Sequence, residues 1–449
     1  MTSRPSSYAQ LSRIGKAPPV ARLAESRTMG AVPERKRQTG AGTTLLLAAL
    51  LGVVLLAARL PFRNHPTPTH PDETSFVAAV GFPADYPVHA PGYPLWVAIG
   101  TILRPLCASP YNAYALASLS ASIAGPLLLF AWLRPANGNR LAWLTALALG
   151  LCPLAWFHAV TALTYWMATL IAIAVVMACE RAIANGGGRS LTLAAALLGI
   201  GVFLRTDCLI YFGPLFAWAA IRTTRSRARL AVVIPVIAVA SFYVLMRYLY
   251  GRAGVDVFAQ RFDHSREVLL GTSLFGAGFI DGLVRNLVKL LVNLGWNVGP
   301  LGLALVVAFV MKRKDADVDD AAAASEAISP RIRSGVIALW LATGLTFLAL
   351  FHVVEGYFLW VLPGAFAGAA GILQRRLGQR RAIGVMALAI AVSVGQFLIY
   401  PWSADSDGLK RTLDAKIGYL TARGLMHINE RERIHNDGDV WRIPAHDHE

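Results

Sequence analysis

Asp72 and Glu73 are adjacent carboxylates set among prolines, an arrangement suited to moving a proton or holding a cation. They stand in NHPTPTHPDETSFVAAVGFPADYPVHAPGYPLW, residues 64–96, just after His70. Pro66, Pro68 and Pro71 keep the preceding backbone extended, and residues 74–80 read as a short helix. Asp72 and Glu73 fall at its start, where helix polarity favours negative charge. A carboxylate fixed there can take the proton from an acceptor hydroxyl or amide, or bind a divalent cation. It can equally do no more than cap the helix. Pro87, Pro91 and Pro94, with Gly92, form a second rigid turn that carries His89 and Tyr93 into an apolar segment.

Two further clusters carry charge between apolar runs, where ionisable groups are functional candidates. Arg205 and Asp207 lie in FLRTDC. The Arg205 guanidinium matches phosphate oxygens with paired N–H groups; the alternative is a local Arg205–Asp207 pair that closes a hairpin. His352, Glu355 and Tyr357 lie in FHVVEGYFLWVLPG, which is either a third part of the same site or a wet turn.

The elements that must position these residues follow from hydropathy. Of 449 residues, 55% are hydrophobic and 15% charged, against roughly 25% charged in average globular chains. Mean hydropathy is +0.51. The apolar runs are 43–60, 93–106, 112–133, 141–157, 162–179, 191–204, 207–221, 230–249, 285–311, 335–352, 356–373 and 382–400. Such runs belong in a bilayer. The predicted fold class is therefore an all-α polytopic membrane protein.

Basic clusters orient it by the positive-inside rule: Arg222 to Arg229, Lys312 to Lys314 and Arg375 to Arg381 go inside, as does the amino-terminal tail. Run 93–106 then has both ends outside and does not span; its length also suits an interfacial helix, with Tyr93 and Trp96 at the interface. About eleven spans result, with 191–204 and 207–221 short enough to form one broken hairpin. Arg59 and Arg63 sit on the external side against the rule.

The organisation read from this is a disordered, basic cytoplasmic tail over 1–43 with no cleavable signal, and a membrane domain over 44–400. That domain has a first external loop at 61–111, a second at 251–283 and a cytoplasmic linker at 312–333. An external tail covers 401–449. The net charge of +16 sits in short membrane-flanking clusters, suited to anionic headgroups rather than nucleic acid. Cys107, Cys152, Cys179 and Cys208 show no metal or redox spacing and read as small buried hydrophobes.

The string HPDE beyond the first span, followed by HAPGYPLW opening the next apolar segment, resembles the GT-C superfamily of membrane glycosyltransferases, nearest to its protein O-mannosyltransferase-like group. The resemblance covers residues 44–220. It matches Asp72 to the family's catalytic Asp. It matches His89, Pro91, Gly92, Pro94 and Leu95 to the "H-P-P-G-x-P-L" motif, with Ala90 in place of the first Pro. It implies membrane-parallel helices in the first external loop and a polyprenyl-phosphate sugar as donor, with mannose as one candidate sugar.

WFHAVTALTY, residues 156–165, is similar to a further family segment. Trp156, Ala159, Val160 and Tyr165 fit, but Leu163 replaces an acidic residue that Glu73 or Asp207 would have to supply. The segment around His352 is similar to late-span motifs that approach the donor phosphate. The implied activity is hexosyl transfer to a protein, lipid or glycan acceptor at the external face of a cell or inner membrane. Asp72 is the base, Glu73 its helper or a metal ligand, and Arg205 and His352 stabilise the leaving phosphate. No P-loop or GxGxxG is present, as befits a lipid-borne donor. A flippase for lipid-linked sugars or a non-catalytic subunit of the same fold are the alternatives.

Overall fold

The computed structural model describes residues 35–60, 71–81, 92–223, 226–252, 259, 279–310, 328–350 and 355–399. Among them no strand occurs. The elements are α1 (Arg35–Arg59), α2 (Pro71–Gly81), α3 (Pro94–Leu103), α4 (Pro110–Leu151), α5 (Pro153–His158), α6 (Tyr165–Asn185), α7 (Gly188–Leu204), α8 (Cys208–Arg222), α9 (Val233–Arg252), α10 (Phe279–Val310), α11 (Pro330–Leu350), α12 (Leu362–Leu377) and α13 (Gln379–Ile399), with a 3-10 turn over Glu355–Trp360. Among the described residues, seven helical segments are long and apolar enough to cross a bilayer. The second external loop, most of the linker and the carboxy-terminal tail lie outside the described residues, as do residues 1–34.

The helix α4 is two arms rather than one rod. Its backbone turns at Gly138, at φ 71° and ψ 161°, a region open essentially only to glycine. Contacts with α1 show that the arms run antiparallel. On the first arm Arg134 donates to Thr44 (2.9 Å) and Ile123 faces Gly52. On the second, Trp143 donates to the Leu47 carbonyl (2.9 Å) and Arg59 to that of Gly150 (3.0 Å). The expected runs 112–133 and 141–157 thus form separate antiparallel arms, the second continuing past Leu151 into α5. Gly378, at φ 77° and ψ 164°, reverses the chain in the same way between α12 and α13.

The packing follows the solvent. Large apolar side chains stand exposed along α1 (Leu45, Leu46, Val53), α9 (Val236, Ile237, Val244) and α10 (Leu291, Leu303, Val310), apolar surface of the kind a bilayer covers. Polar side chains turn inward. At the end of the bundle holding Gly138 and Gly378, Glu180 of α6 is buried and accepts from Arg333 of α11 (2.8 and 3.2 Å) and from the Trp132 indole of α4 (2.6 Å). These bonds tie α4, α6 and α11 together.

Two expectations change. Tyr93 and Trp96 were expected at the membrane interface; both are buried, Trp96 completely. The helix α3, about 15 Å long by its ten residues, lies against α4 and α7, and Trp96 stacks on Tyr114 (5.1 Å) in the space Gly100 leaves open. Arg59, anomalous by the charge rule, is also fully buried. Its bond to Gly150 satisfies a carbonyl in the last turn of α4, where helix polarity favours a cation.

Candidate functional site

The site starts from a loop that should not be buried. Residues 159–164 join α5 to α6 inside the protein, and buried backbone polar groups need partners. Glu73 of α2 supplies one: its Oε1 accepts the Ala162 N–H at 2.6 Å. The Ala162 carbonyl accepts from the Trp96 indole of α3 (3.2 Å), and the Leu163 carbonyl accepts from Ser118 of α4 (3.0 Å). Glu73 is completely buried and falls on one stripe of α2 with Phe76 and Ala79. Its carboxylate therefore positions the loop. Asp72, beside it in the first turn of α2, is partly exposed.

The loop ends on Thr164, and Thr164 reaches Arg205. Arg205 closes α7 in an extended conformation, 6% exposed. Its Nε and Nη2 donate to the two carboxylate oxygens of Asp207 (3.3 and 3.1 Å). Its Nη1 donates to Thr164 Oγ1 (3.0 Å) and its Nη2 also to the Tyr357 hydroxyl. Four rings surround the guanidinium: Tyr357 at 4.6 Å, Tyr93 and Tyr165 each at 5.3 Å, and Trp360 at 5.4 Å from ring centroid to Cζ. Each such contact is worth on the order of 0.5–2 kcal/mol.

Two backbone features make the cage. Tyr93 adopts φ 47° and ψ 50°, the one non-glycine residue with positive φ among those described, at a cost of roughly 1–2 kcal/mol. The edge of Phe76 (5.2 Å) holds its ring. Gly356 has no room for a side chain: a Cβ there would stand 2.1 Å from the Tyr165 ring.

Three helices also begin here. Tyr93, Thr164 and Asp207 are the N-cap residues of α3, α6 and α8, and none makes a side-chain capping bond. Each helix start carries roughly half a positive charge. With the guanidinium, about +2.5 is gathered there, and among the described residues Asp207 is the carboxylate in contact with Arg205. Such a focus, lined by aromatic rings, suits an anion with an apolar or ring-bearing substituent.

Of the residues marked by the sequence, the structure unites Tyr93, Tyr165, Arg205, Asp207 and Tyr357, drawn from three separate turns and the start of α6. Asp72 and Glu73 stand on the adjoining α2. His70, His89 and His352 lie outside the described residues, as does the Glu355 side chain. Among the described residues no three His, Cys, Asp or Glu side chains gather as a metal site, and Glu73 is already engaged with Ala162. Sequence reasoning missed Thr164, Gly356 and Trp360, although all three lie within segments it had marked.

The fold is all-helical among the described residues, with helices long and apolar enough to cross a bilayer, in keeping with the expected polytopic membrane class. Two solved structures share it. The chain is similar to the crystal structure of ArnT from Cupriavidus metallidurans in the apo state, at 13% identity and a TM-score of 0.56, over 90% of this chain and 80% of that one. It is similar also to ArnT from Cupriavidus metallidurans bound to undecaprenyl phosphate, at 14% identity and a TM-score of 0.55, over 88% of this chain and 73% of that one. No protein-family model matches the chain, and no curated protein does.

Proposed function

We propose that the chain is a membrane glycosyltransferase that moves a monosaccharide, with mannose one candidate, from a polyprenyl-phosphate donor to a protein, lipid or glycan acceptor. The observation that carries this reading is the Arg205 cage, where a buried guanidinium and three helix starts leave room in charge for a phosphate. The fold likeness to an ArnT that binds undecaprenyl phosphate supports a lipid phosphate as the anion.

In the reaction, an acceptor oxygen or nitrogen attacks the anomeric carbon opposite the phosphate. The bond from that carbon to the phosphate oxygen breaks, and its electron pair stays on the phosphate. Asp72 takes the acceptor's proton, and the anomeric configuration inverts. Arg205 and the helix starts stabilise the negative charge that develops on the leaving oxygen. Glu73 fixes the loop that brings Thr164 and Tyr165 to Arg205. The site faces the non-cytoplasmic side.

The test is transfer of radiolabelled sugar from a polyprenyl-phosphate donor by purified protein in liposomes, with lipid translocation followed in the same vesicles. Asp72→Asn is expected to lower transfer by about 10²–10⁴-fold with insertion and melting temperature unchanged. Full transfer by that variant, or translocation without transfer in the wild type, overturns the proposal. Mass spectrometry of envelope glycans after gene deletion identifies sugar and acceptor.

A further inference from the structure

We propose that Asp207 is a built-in competitor for the lipid phosphate: it occupies Arg205 at rest, gives way when the donor enters, and displaces the product phosphate on its return. This rests on the proposed function, because it takes the Arg205 site as the phosphate site.

The geometry is that of a substitute ligand. Both Asp207 oxygens lie on one edge of the guanidinium, taking Nε and Nη2 as two parallel donors. A phosphate uses the same fork. Of the five N–H groups on Arg205, the Asp207, Thr164 and Tyr357 bonds engage four. A phosphate takes that edge only when the carboxylate moves, and the Nη1–Nη2 edge only by displacing the Thr164 and Tyr357 hydroxyls.

Asp207 is built to move alone. Its side chain is 18% exposed against 6% for Arg205, so it sits on the outer side of the pair. Its backbone stays fixed, because the Asp207 carbonyl accepts from the amides of Ile210 (2.9 Å) and Tyr211 (3.2 Å). Only the side chain has to rotate. Swung away, the carboxylate remains at the start of α8, where helix polarity still favours it.

Charge gives the exchange its use. The donor is a phosphodiester with one negative charge, whereas the product is a monoester carrying about −1.5 to −2 near neutral pH. A bare Arg205 among three helix starts would hold the product more tightly than the donor and stall turnover. A carboxylate two residues away is always present and cannot diffuse off, so it opposes that retention at every cycle. Apparent affinity falls by the fraction of molecules in which Arg205 is free.

The experiment is equilibrium binding of radiolabelled undecaprenyl phosphate to the full chain in phosphatidylcholine nanodiscs. Wild type is compared with Asp207→Asn, Asp207→Ser, Arg205→Ala and the Arg205→Ala/Asp207→Asn double variant. Asn and Ser both suit a helix N-cap, so two uncharged replacements guard against a folding defect in either. Both are expected to bind about tenfold more tightly or better, the factor for a free fraction that rises from roughly a tenth towards one. That gain should vanish in the double variant.

Unchanged or weaker binding by a folded Asn or Ser variant overturns the exchange and leaves Asp207 as a partner that positions Arg205. If binding in the wild type is indifferent to Arg205→Ala, the phosphate assignment itself fails and the exchange falls with it. A kinetic signature accompanies the expected result: Asp207→Asn lowers KM for the donor and lowers kcat together, because product release slows.

Discussion

Arg205 depends on shape as much as on charge. Its parallel donors meet Asp207, and its Cζ lies within 5.3 Å of the ring centroids of Tyr93, Tyr165 and Tyr357. Lysine offers neither a fork nor a plane. Arg205→Lys is expected to weaken undecaprenyl phosphate binding by at least about tenfold, the equivalent of about 1.4 kcal/mol, with the positive charge retained; equal affinity would show that charge alone is read. Gly356→Ala is a subtler change at the same place. The Tyr165 ring must shift by more than an ångström to clear a Cβ 2.1 Å away, so binding is expected to weaken several-fold with only a modest fall in melting temperature. Arg205 and Tyr357 could be marked in the sequence because charge and aromatic groups between apolar runs are conspicuous. Gly356 could not, because its contribution is the absence of a side chain beside a ring 191 positions earlier.

At the level of elements, the buried 159–164 loop is the hinge of the design. It is held by Glu73 and Trp96, which come from two helices of 11 and 10 residues, shorter than the roughly 20 residues a span needs. Trp96→Phe keeps the ring but leaves the Ala162 carbonyl short of a partner, at a cost of roughly 1–3 kcal/mol. Thermal melting in detergent is expected to show that loss, together with weaker lipid-phosphate binding through Thr164. The Glu180–Arg333 pair is further from the site and purely a matter of stability. Glu180→Gln leaves Arg333 buried without its carboxylate, a loss of about 3–5 kcal/mol, whereas replacing both by leucine is expected to fall much nearer wild type. Helix type and position were readable because the apolar runs are long. The burial of Trp96 was not, because hydropathy does not distinguish lipid, headgroup and protein interior as solvents for an indole.

For the molecule as a whole, each apolar run expected to span is helical, and the hairpins turn at Gly138, Arg205–Asp207 and Gly378. The break between the apolar runs 112–133 and 141–157 falls at the Gly138 turn that separates the two arms of α4. The side each end faces is tested by cysteine labelling from outside intact cells. A reporter cysteine at Ser75 is expected to react with an impermeant maleimide, and one at Ser226 is not; the reverse pattern would place the proposed site in the cytosol. One further consequence follows from the three uncapped helix starts around Arg205. On the proposed reading, part of the attraction for the lipid phosphate comes from peptide groups, which every sequence possesses. On that reading, a relative that keeps Arg205 and these helix starts keeps the phosphate site while most other letters around it change.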